Sequence, residues 1–110
     1  MSSYFRLTKA KNGEYYFTLY AANGKPLGQS DTYKAKASAI HGIEVVRREA
    51  GNPDRFFYKS APNGKTYLSL KAGNGEVMLT GRGYTSEDGA KAGAEAITRA
   101  AKTLDIWDAT

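Results

Sequence analysis

The sequence predicts one α+β domain made from two copies of a unit that contains three strands followed by a helix. Three observations support this fold class: Asn-Gly turns that recur in pairs, alternating apolar and polar residues around those turns, and a change to helical periodicity after each second turn. At 110 residues the chain has the length of a single domain. We therefore expect the two units to share one hydrophobic core.

An Asn-Gly pair occurs twice in each half of the chain, at the same spacing. The offset between the halves is 63 − 12 = 74 − 23 = 51 residues. The predicted domain spans 1–110, with repeat 1 at 1–54 and repeat 2 at 55–110. The same offset aligns further identical residues: Phe5 with Phe56, Tyr16 with Tyr67, Leu19 with Leu70, Tyr33 with Tyr84, and Gly42 with Gly93.

The Asn-Gly pairs favour tight hairpins, and we expect type I′ turns, in which both central residues have positive φ. The turns then separate the strands of two three-stranded meanders. A last short strand is expected at 104–107, and the segment 55–59 both closes the first unit and opens the second. The predicted strands cover 4–9, 14–21 and 25–30 in repeat 1, and 55–59, 65–72 and 76–80 in repeat 2.

After each meander the apolar residues recur with the spacing of an amphipathic helix. Thr85 is the predicted N-cap of the second helix, whereas the first repeat has Lys34 at that position and no clear cap. Gly42 and Gly93 lie in the middle of the predicted helices, where glycine costs about 1 kcal/mol relative to alanine. Their recurrence indicates a close approach of each helix to a neighbouring element.

Composition excludes several classes of protein. The chain has no cysteine, so it has no disulfide, no thiolate nucleophile and no cysteine-bound metal. No apolar run is long enough to span a bilayer and the first residues lack a secretory signal, so we expect a soluble, cytoplasmic protein without a membrane partner. The net charge of +5 is spread along the chain, which favours a surface of mixed charge over a localised nucleic-acid site.

The residue types that carry out catalysis are sparse. His41 is the sole histidine, it has no recognisable catalytic partner, and we expect no hydrolase or transferase activity to depend on it. No metal-ligand spacing and no phosphate-binding fingerprint occurs, and the segment Gly81-Arg82-Gly83 is predicted to be a turn. We therefore expect a non-enzymatic protein with no cofactor and no metal.

The polar face of the predicted sheet is the candidate binding surface, because it combines aromatic and basic side chains. Such a face suits a flat protein partner or stacked bases of a single-stranded nucleic acid. Tyrosines also form cross-strand pairs on solvated faces that bind nothing, so this alternative stays open. We expect a monomer, because the duplication already closes a pseudo-dimer. The candidate binding residues are Arg6, Tyr16, Tyr20, Lys59, Tyr67 and Lys71.

Three features give the chain a family resemblance. They are the two Ala-x-Asn-Gly hairpins at 21–24 and 72–75, the tyrosines Tyr33 and Tyr84 before each helix, and the 51-residue spacing. Over nearly its whole length it resembles the bacterial YegP-like family. The resemblance implies a single antiparallel sheet with both helices on one face and C-terminal strands exchanged between repeats. It brings no assigned biochemical role, so no catalytic or ligand residue is carried over.

Overall fold

A computed structural model of the protein describes residues 2–110, which form one mixed sheet covered on one face by two helices. The sheet order is β4-β5-β6-β3-β2-β1-β7, so each repeat contributes a meander and the two meanders meet where β3 pairs with β6. The α+β fold of tandem repeats is therefore confirmed. The elements are β1 Tyr4–Lys9, β2 Tyr15–Tyr20, β3 Pro26–Gln29, α1 Lys36–Glu49, β4 Phe56–Ser60, β5 Thr66–Lys71, β6 Val77–Tyr84, α2 Glu87–Ala100 and β7 Ile106–Asp108.

The two repeats are related by an approximate two-fold axis through the middle of the sheet. Gln29 of β3 pairs with Thr80 of β6, and because 29 + 51 = 80 each of these residues is the repeat counterpart of the other. Next to this pair, Gly28 faces its own counterpart Leu79: a Cβ added to Gly28 would lie 2.7 Å from Leu79 Cγ. Leu79 thus fills the space between the two positions, and a second leucine at position 28 would overpack it.

The core lies between the sheet and the helices and extends across both repeats. Alternate strand residues point into it, which explains why the odd positions of β2 are apolar. The fully buried side chains come from both meanders and both helices: Phe5, Leu7, Phe17, Leu19, Ile43, Val46, Leu68, Leu70, Leu79 and Ile97.

The hairpin turns occur where they were expected but are of a different type. Gly13, Gly24, Gly64 and Gly75 have φ between 82° and 86°, and among residues 2–110 only glycines have positive φ. The asparagine before each glycine therefore has negative φ, so the predicted type I′ turn is wrong. Each loop is a type I turn closed by a left-handed glycine, the three-residue hairpin in which the glycine makes a bulge.

The asparagines act through their side chains. Asn12 Oδ1 accepts the backbone N–H two residues later at 3.0 Å, and the asparagines of the other three turns do the same. This Asx contact holds the turn and explains why asparagine precedes the glycine each time.

Several helix and strand ends also differ from the predictions. The N-cap of α2 is Ser86 and not Thr85, because the Ser86 Oγ accepts the Gly89 N–H at 3.0 Å. Helix α1 begins after Ala35 without a side-chain cap, as expected of the first repeat. The segment Gly81-Arg82-Gly83 is not a turn but part of β6, where a shift in the pairing with β5, between Tyr67 and Ser69, accommodates it.

Strand β7 crosses from repeat 2 to repeat 1 and pairs with β1, in parallel orientation. The exchange of terminal strands runs in this direction alone within the described chain, because β4 pairs with β5 of its own repeat and forms the other edge of the sheet. No helix within residues 2–110 has the length and apolar character needed to cross a membrane.

Candidate functional site

The face of the sheet that carries no helix, here called the open face, collects the aromatic and basic side chains. Cross-strand register places Tyr4 opposite Tyr20 and Arg6 between Thr18 and Trp107. None of the strand residues described on this face is acidic. Those residues include Tyr4, Arg6, Tyr16, Thr18, Tyr20, Gln29, Phe57, Lys59, Tyr67, Ser69, Lys71, Val77, Thr80 and Trp107.

Three rings form an aromatic row across β2, β1 and β7. Tyr20 and Tyr4 stack with ring centroids 5.0 Å apart and planes inclined by 14°. Trp107 continues the row at 6.1 Å from Tyr4, with its ring tilted by 55°. Such pairs contribute about 0.5–1.5 kcal/mol each beyond the area they bury. The aromatic row, Tyr20, Tyr4 and Trp107, is therefore a pre-formed surface.

Arg6 is the cation of this surface. Its guanidinium carbon lies 4.8 Å from the centroid of the Trp107 ring, within the range of a cation–π interaction. Its Nε is buried and has no hydrogen-bond partner within residues 2–110, and no ion pair there includes Arg6. Buried donors in folded proteins are usually satisfied. The charge of Arg6 is thus held in place by a ring and is not neutralised by an acid.

Strand β7 carries Trp107 and is held by side chains of α1 close to both of its ends. The Arg47 Nε donates to the Thr103 carbonyl at 2.8 Å, and the Lys36 ammonium donates to the Asp108 carboxylate. The Lys36 contact, followed by two hydrogen bonds from Thr110, lowers the pKa of Asp108 to about 2. Trp107 is 53% exposed, yet its strand is anchored by α1.

The opposite end of the open face has a second, smaller group. Lys71 Nζ lies 4.5 Å from the centroid of the Phe57 ring. The Tyr67 ring covers Gly83, where an added Cβ would lie 2.8 Å from Tyr67 Cε1, and the Tyr67 hydroxyl accepts a hydrogen bond from Asn63 at 3.1 Å. Tyr67 therefore shields a glycine in the neighbouring strand, as aromatic side chains do in other sheets.

The residues predicted from alternation lie on the open face but in two groups. Arg6, Tyr16 and Tyr20 belong to β1 and β2, and Lys59, Tyr67 and Lys71 belong to β4 and β5, with β6 and β3 between them. The face is also less solvated than expected at the first group, where Thr18 is only 7% exposed.

The binding residues predicted from the sequence did not include Tyr4 and Trp107, although both belong to the aromatic row. Alternation does place Tyr4 on this face, beside Arg6. No periodic signal identifies Trp107, because β7 is three residues long and pairs with a strand at the other end of the chain. Two signals were available: the short strand expected at 104–107, and the fact that Trp107 is the sole tryptophan.

A groove on the helix side contains His41. It has a volume of about 720 Å³ and lies between α1 and the turn that joins β5 to β6. Tyr33 also lines it, and burial, then Glu76, then Asp31, raise the pKa of Tyr33. Within residues 2–110 no side-chain hydrogen bond involves His41, and no group of three or more His, Cys, Asp or Glu side chains could hold a metal ion.

Two βββα repeats that share one sheet define the class of protein to which the chain belongs: a small tandem-repeat α+β domain. The chain belongs to the family described as "Domain of unknown function (DUF1508)", whose model matches residues 10–56 and 61–108. One match falls in each half of the chain, which supports the tandem organisation. The resemblance to the YegP-like family is confirmed.

Among its relatives is UPF0339 protein PA0329 of Pseudomonas aeruginosa, 42% identical over 108 residues and covering 98% of each chain. UPF0339 protein YegP of Escherichia coli K12 is 30% identical over 110 residues, covering 100% of each chain. The solution NMR structure of YegP from E. coli, a protein of unknown function, has a TM-score of 0.93 at 30% identity and covers 100% of this chain and 95% of that one. The NMR structure of a UPF0339 protein from Shewanella oneidensis has a TM-score of 0.90 at 32% identity, covering 98% of this chain and 92% of that one.

Proposed function

We propose that this protein is a non-enzymatic binding module that engages an acidic surface of a partner protein through the aromatic row and Arg6. The observation that carries the proposal is the Arg6 guanidinium, held over the Trp107 ring with no acidic residue among the strand residues described on the same face. Aromatic and arginine side chains are enriched at protein interfaces, where the rings supply contact area and the cation selects and steers an acidic partner.

The geometry of the aromatic row favours a protein partner. Tyr4 and Tyr20 each cover a face of the other ring, and Arg6 lies over Trp107. Stacking of a nucleic-acid base needs a free ring face, and these contacts already use one face of each of the three rings. Contacts at ring edges and hydrogen bonds to the tyrosine hydroxyls do not need one, and these are the contacts that a protein surface makes.

A single-stranded nucleic acid is the second candidate, and the charge of the open face supports it. Arg6, Lys59 and Lys71 share this face without an acidic neighbour among its described strand residues. Such a positive field attracts phosphates. Binding would then spread over both groups of the face rather than depend on the aromatic row.

Trp107 fluorescence tests the proposal, because the sole tryptophan lies in the site. The full-length protein is titrated with a glutamate-rich peptide and, separately, with a thymidine oligonucleotide. We expect the peptide to change the Trp107 emission. Arg6→Gln should weaken this binding about tenfold to a hundredfold, since hydrogen bonds to charged groups contribute on the order of 1.5–3 kcal/mol.

Lys71→Gln is the matched control, because Lys71 also lies over an aromatic ring but at the other end of the open face. It should leave peptide binding nearly unchanged. If the oligonucleotide binds instead, with affinity that falls steeply as salt rises and that both variants weaken, the nucleic-acid candidate is correct. No response to either probe at millimolar concentration would contradict both candidates.

A further inference from the structure

The two-fold relation between the repeats leaves one position of the fold without its counterpart. The axis relates β1 to β4 and α1 to α2, since both pairs of elements are 51 residues apart in the sequence. Strand β7 occupies the outer edge of β1 beside α1. Within the described residues, no strand pairs with the corresponding outer edge of β4 beside α2.

The occupied edge shows how such a strand binds. The Phe5 N–H donates to the Asp105 carbonyl at 3.0 Å, and the Ala109 N–H donates to the Leu7 carbonyl at 2.8 Å. The backbone groups of Phe5 and Leu7 therefore face β7, whereas those of Arg6, between them, face β2. This alternation assigns the same outward direction to the two counterparts in β4.

Those counterparts are Phe56 and Tyr58, since 5 + 51 = 56 and 7 + 51 = 58. The Phe56 N–H donates to the Pro53 carbonyl, so one of the four outward groups is already satisfied. The Phe56 carbonyl and both backbone groups of Tyr58 have no partner strand within residues 2–110. Three of the four groups that would bond a parallel strand thus remain open to an incoming strand.

A groove lies beside this edge, on the side of the sheet that faces α2. Its volume is about 450 Å³. Phe56 and Tyr58 line it from the sheet, and Ala94 and Thr98 line it from the helix. In β7 the residue paired with Phe5 is Ile106. An aliphatic side chain at the equivalent position of an added strand would enter this groove and bury apolar surface.

The charges beside the outer edge of β4, here called the vacant edge, differ from those beside the outer edge of β1, which β7 occupies. At the occupied edge, Lys36 at the start of α1 holds Asp108. The counterpart of Lys36 is Glu87, because 36 + 51 = 87. Burial, then Glu87, then Glu95, raise the pKa of Tyr58, so both carboxylates act on this edge. A strand that carries an acid at the position of Asp108 would be repelled here, and one that carries a base would be attracted.

Lys91 and Arg99 also line the groove, and Arg99 lies near the C-terminal end of α2. In the occupied site the chain enters near the C-terminal part of α1, where Arg47 contacts Thr103, and leaves near its start, where Lys36 contacts Asp108. A strand in the vacant site would run in the same sense relative to α2. Its first residues would meet Arg99 and its last residues would meet Glu87.

We propose that the outer edge of β4, with the α2 groove beside it, binds an extended segment of a partner protein by parallel β-strand addition. The segment has an aliphatic residue facing the groove, then an aromatic residue beside Phe57 on the open face, then a basic residue near Glu87. Backbone hydrogen bonds supply affinity and the alternating side chains supply selectivity, as in other cases of strand addition. This site is separate from the aromatic row and does not depend on the function proposed for it.

A peptide derived from β7 tests the proposal. The probe is a synthetic peptide with the sequence of residues 103–110 and the change D108K, added to the full-length, isotope-labelled protein. We expect amide shifts in β4 and α2, without shifts at Tyr4, Tyr20 and Trp107. N-methylation of the two peptide nitrogens at the positions of Trp107 and Ala109 should weaken binding roughly tenfold, since both nitrogens donate to β4.

The matched control is N-methylation at the positions of Ile106 and residue 108, whose nitrogens point away from β4 and whose methylation should change affinity little. The unsubstituted peptide, which keeps Asp108, should bind several-fold more weakly than the D108K peptide at low salt. Glu87→Lys in the protein should reverse that preference, whereas Glu44→Lys, a surface change on α1, should not.

Three outcomes would overturn the proposal. Equal weakening by both N-methylation patterns would show that backbone pairing is not involved. Shifts confined to the aromatic row would assign the peptide to the open face. Concentration-dependent association of the protein alone, with shifts in β4, would show that the occupant of this edge is a second copy of the chain.

Discussion

The hydroxyl of Tyr33 lies directly over Gly42, so close that a Cβ on this glycine would be 2.5 Å from the hydroxyl oxygen. Tyr84 covers Gly93 in the same way in repeat 2. The close approach expected at both helical glycines is therefore real, and it is made by the tyrosine that precedes each helix. This contact connects two recurring features of the repeat that are nine residues apart, since 42 − 33 = 93 − 84 = 9.

Gly42→Ala should destabilise the protein by about 1–3 kcal/mol, although alanine is the better helix former, because the added methyl group overpacks against Tyr33 and Phe17. Tyr33→Phe removes the nearest atom and should restore part of the loss in the double variant. Gly51→Ala, where an added Cβ has room, is the control and should change stability little. Chemical denaturation of the four variants gives the free energies of unfolding. Equal stability of wild type and Gly42→Ala would contradict the packing argument.

Leu70→Ala should lower the free energy of unfolding by about 2–5 kcal/mol without splitting the thermal transition, because Leu70 is fully buried in the core that both repeats share. Calorimetry measures both properties. Ser69→Ala, next in the chain but on the open face, should change the free energy by less than about 0.5 kcal/mol. Two separate transitions, or a folded fragment ending near residue 52, would show that the repeats are independent.

Ser86→Ala should destabilise α2 by about 0.5–2 kcal/mol, since the Ser86 Oγ satisfies the Gly89 N–H. The equivalent N-cap position in the first repeat, Ala35, allows the opposite change. Ala35→Ser introduces a hydroxyl at the uncapped start of α1 and should stabilise the protein. Thermal denaturation of the two variants compares them directly. A loss of stability on Thr85→Ala as large as that on Ser86→Ala would place the cap at Thr85 instead.

The anchoring of β7 should weaken in acid. The pKa of Asp108 is lowered from its usual 3.8 to about 2 by Lys36 and Thr110, so the charged contact stabilises the folded state above pH 3.8 and is lost as the pH falls towards 2. Trp107 fluorescence should report this loosening. Lys36→Gln should raise the pKa of Asp108 towards 3.8, measured by NMR titration of the carboxyl group, whereas Lys34→Gln should leave it low. A wild-type Asp108 that titrates near 3.8 would refute the contact.

The repeated unit could be predicted from the sequence because the interactions that form it are local. The asparagine side chains close the hairpins within a few residues, and alternation in β2 separates Phe17 and Leu19 from Tyr16 and Tyr20. The turn type was missed because an Asn-Gly pair fits both a two-residue and a three-residue loop. The cap was missed by one residue because Thr85 and Ser86 are both good N-cap residues.

The candidate site depended on tertiary structure. The alternation of side chains along a strand assigns each residue to a face of the sheet, but it does not give the order of the strands. It therefore could not reveal that β6 and β3 divide the predicted binding residues into two groups. Arg6 and Trp107 are 107 − 6 = 101 residues apart and meet only because β7 crosses to β1. The sequence by itself determined the fold class, the repeat and the faces of the strands, since these follow from local periodicity. Tertiary structure alone decided the aromatic row and the vacant edge of β4, since both depend on which strands become neighbours.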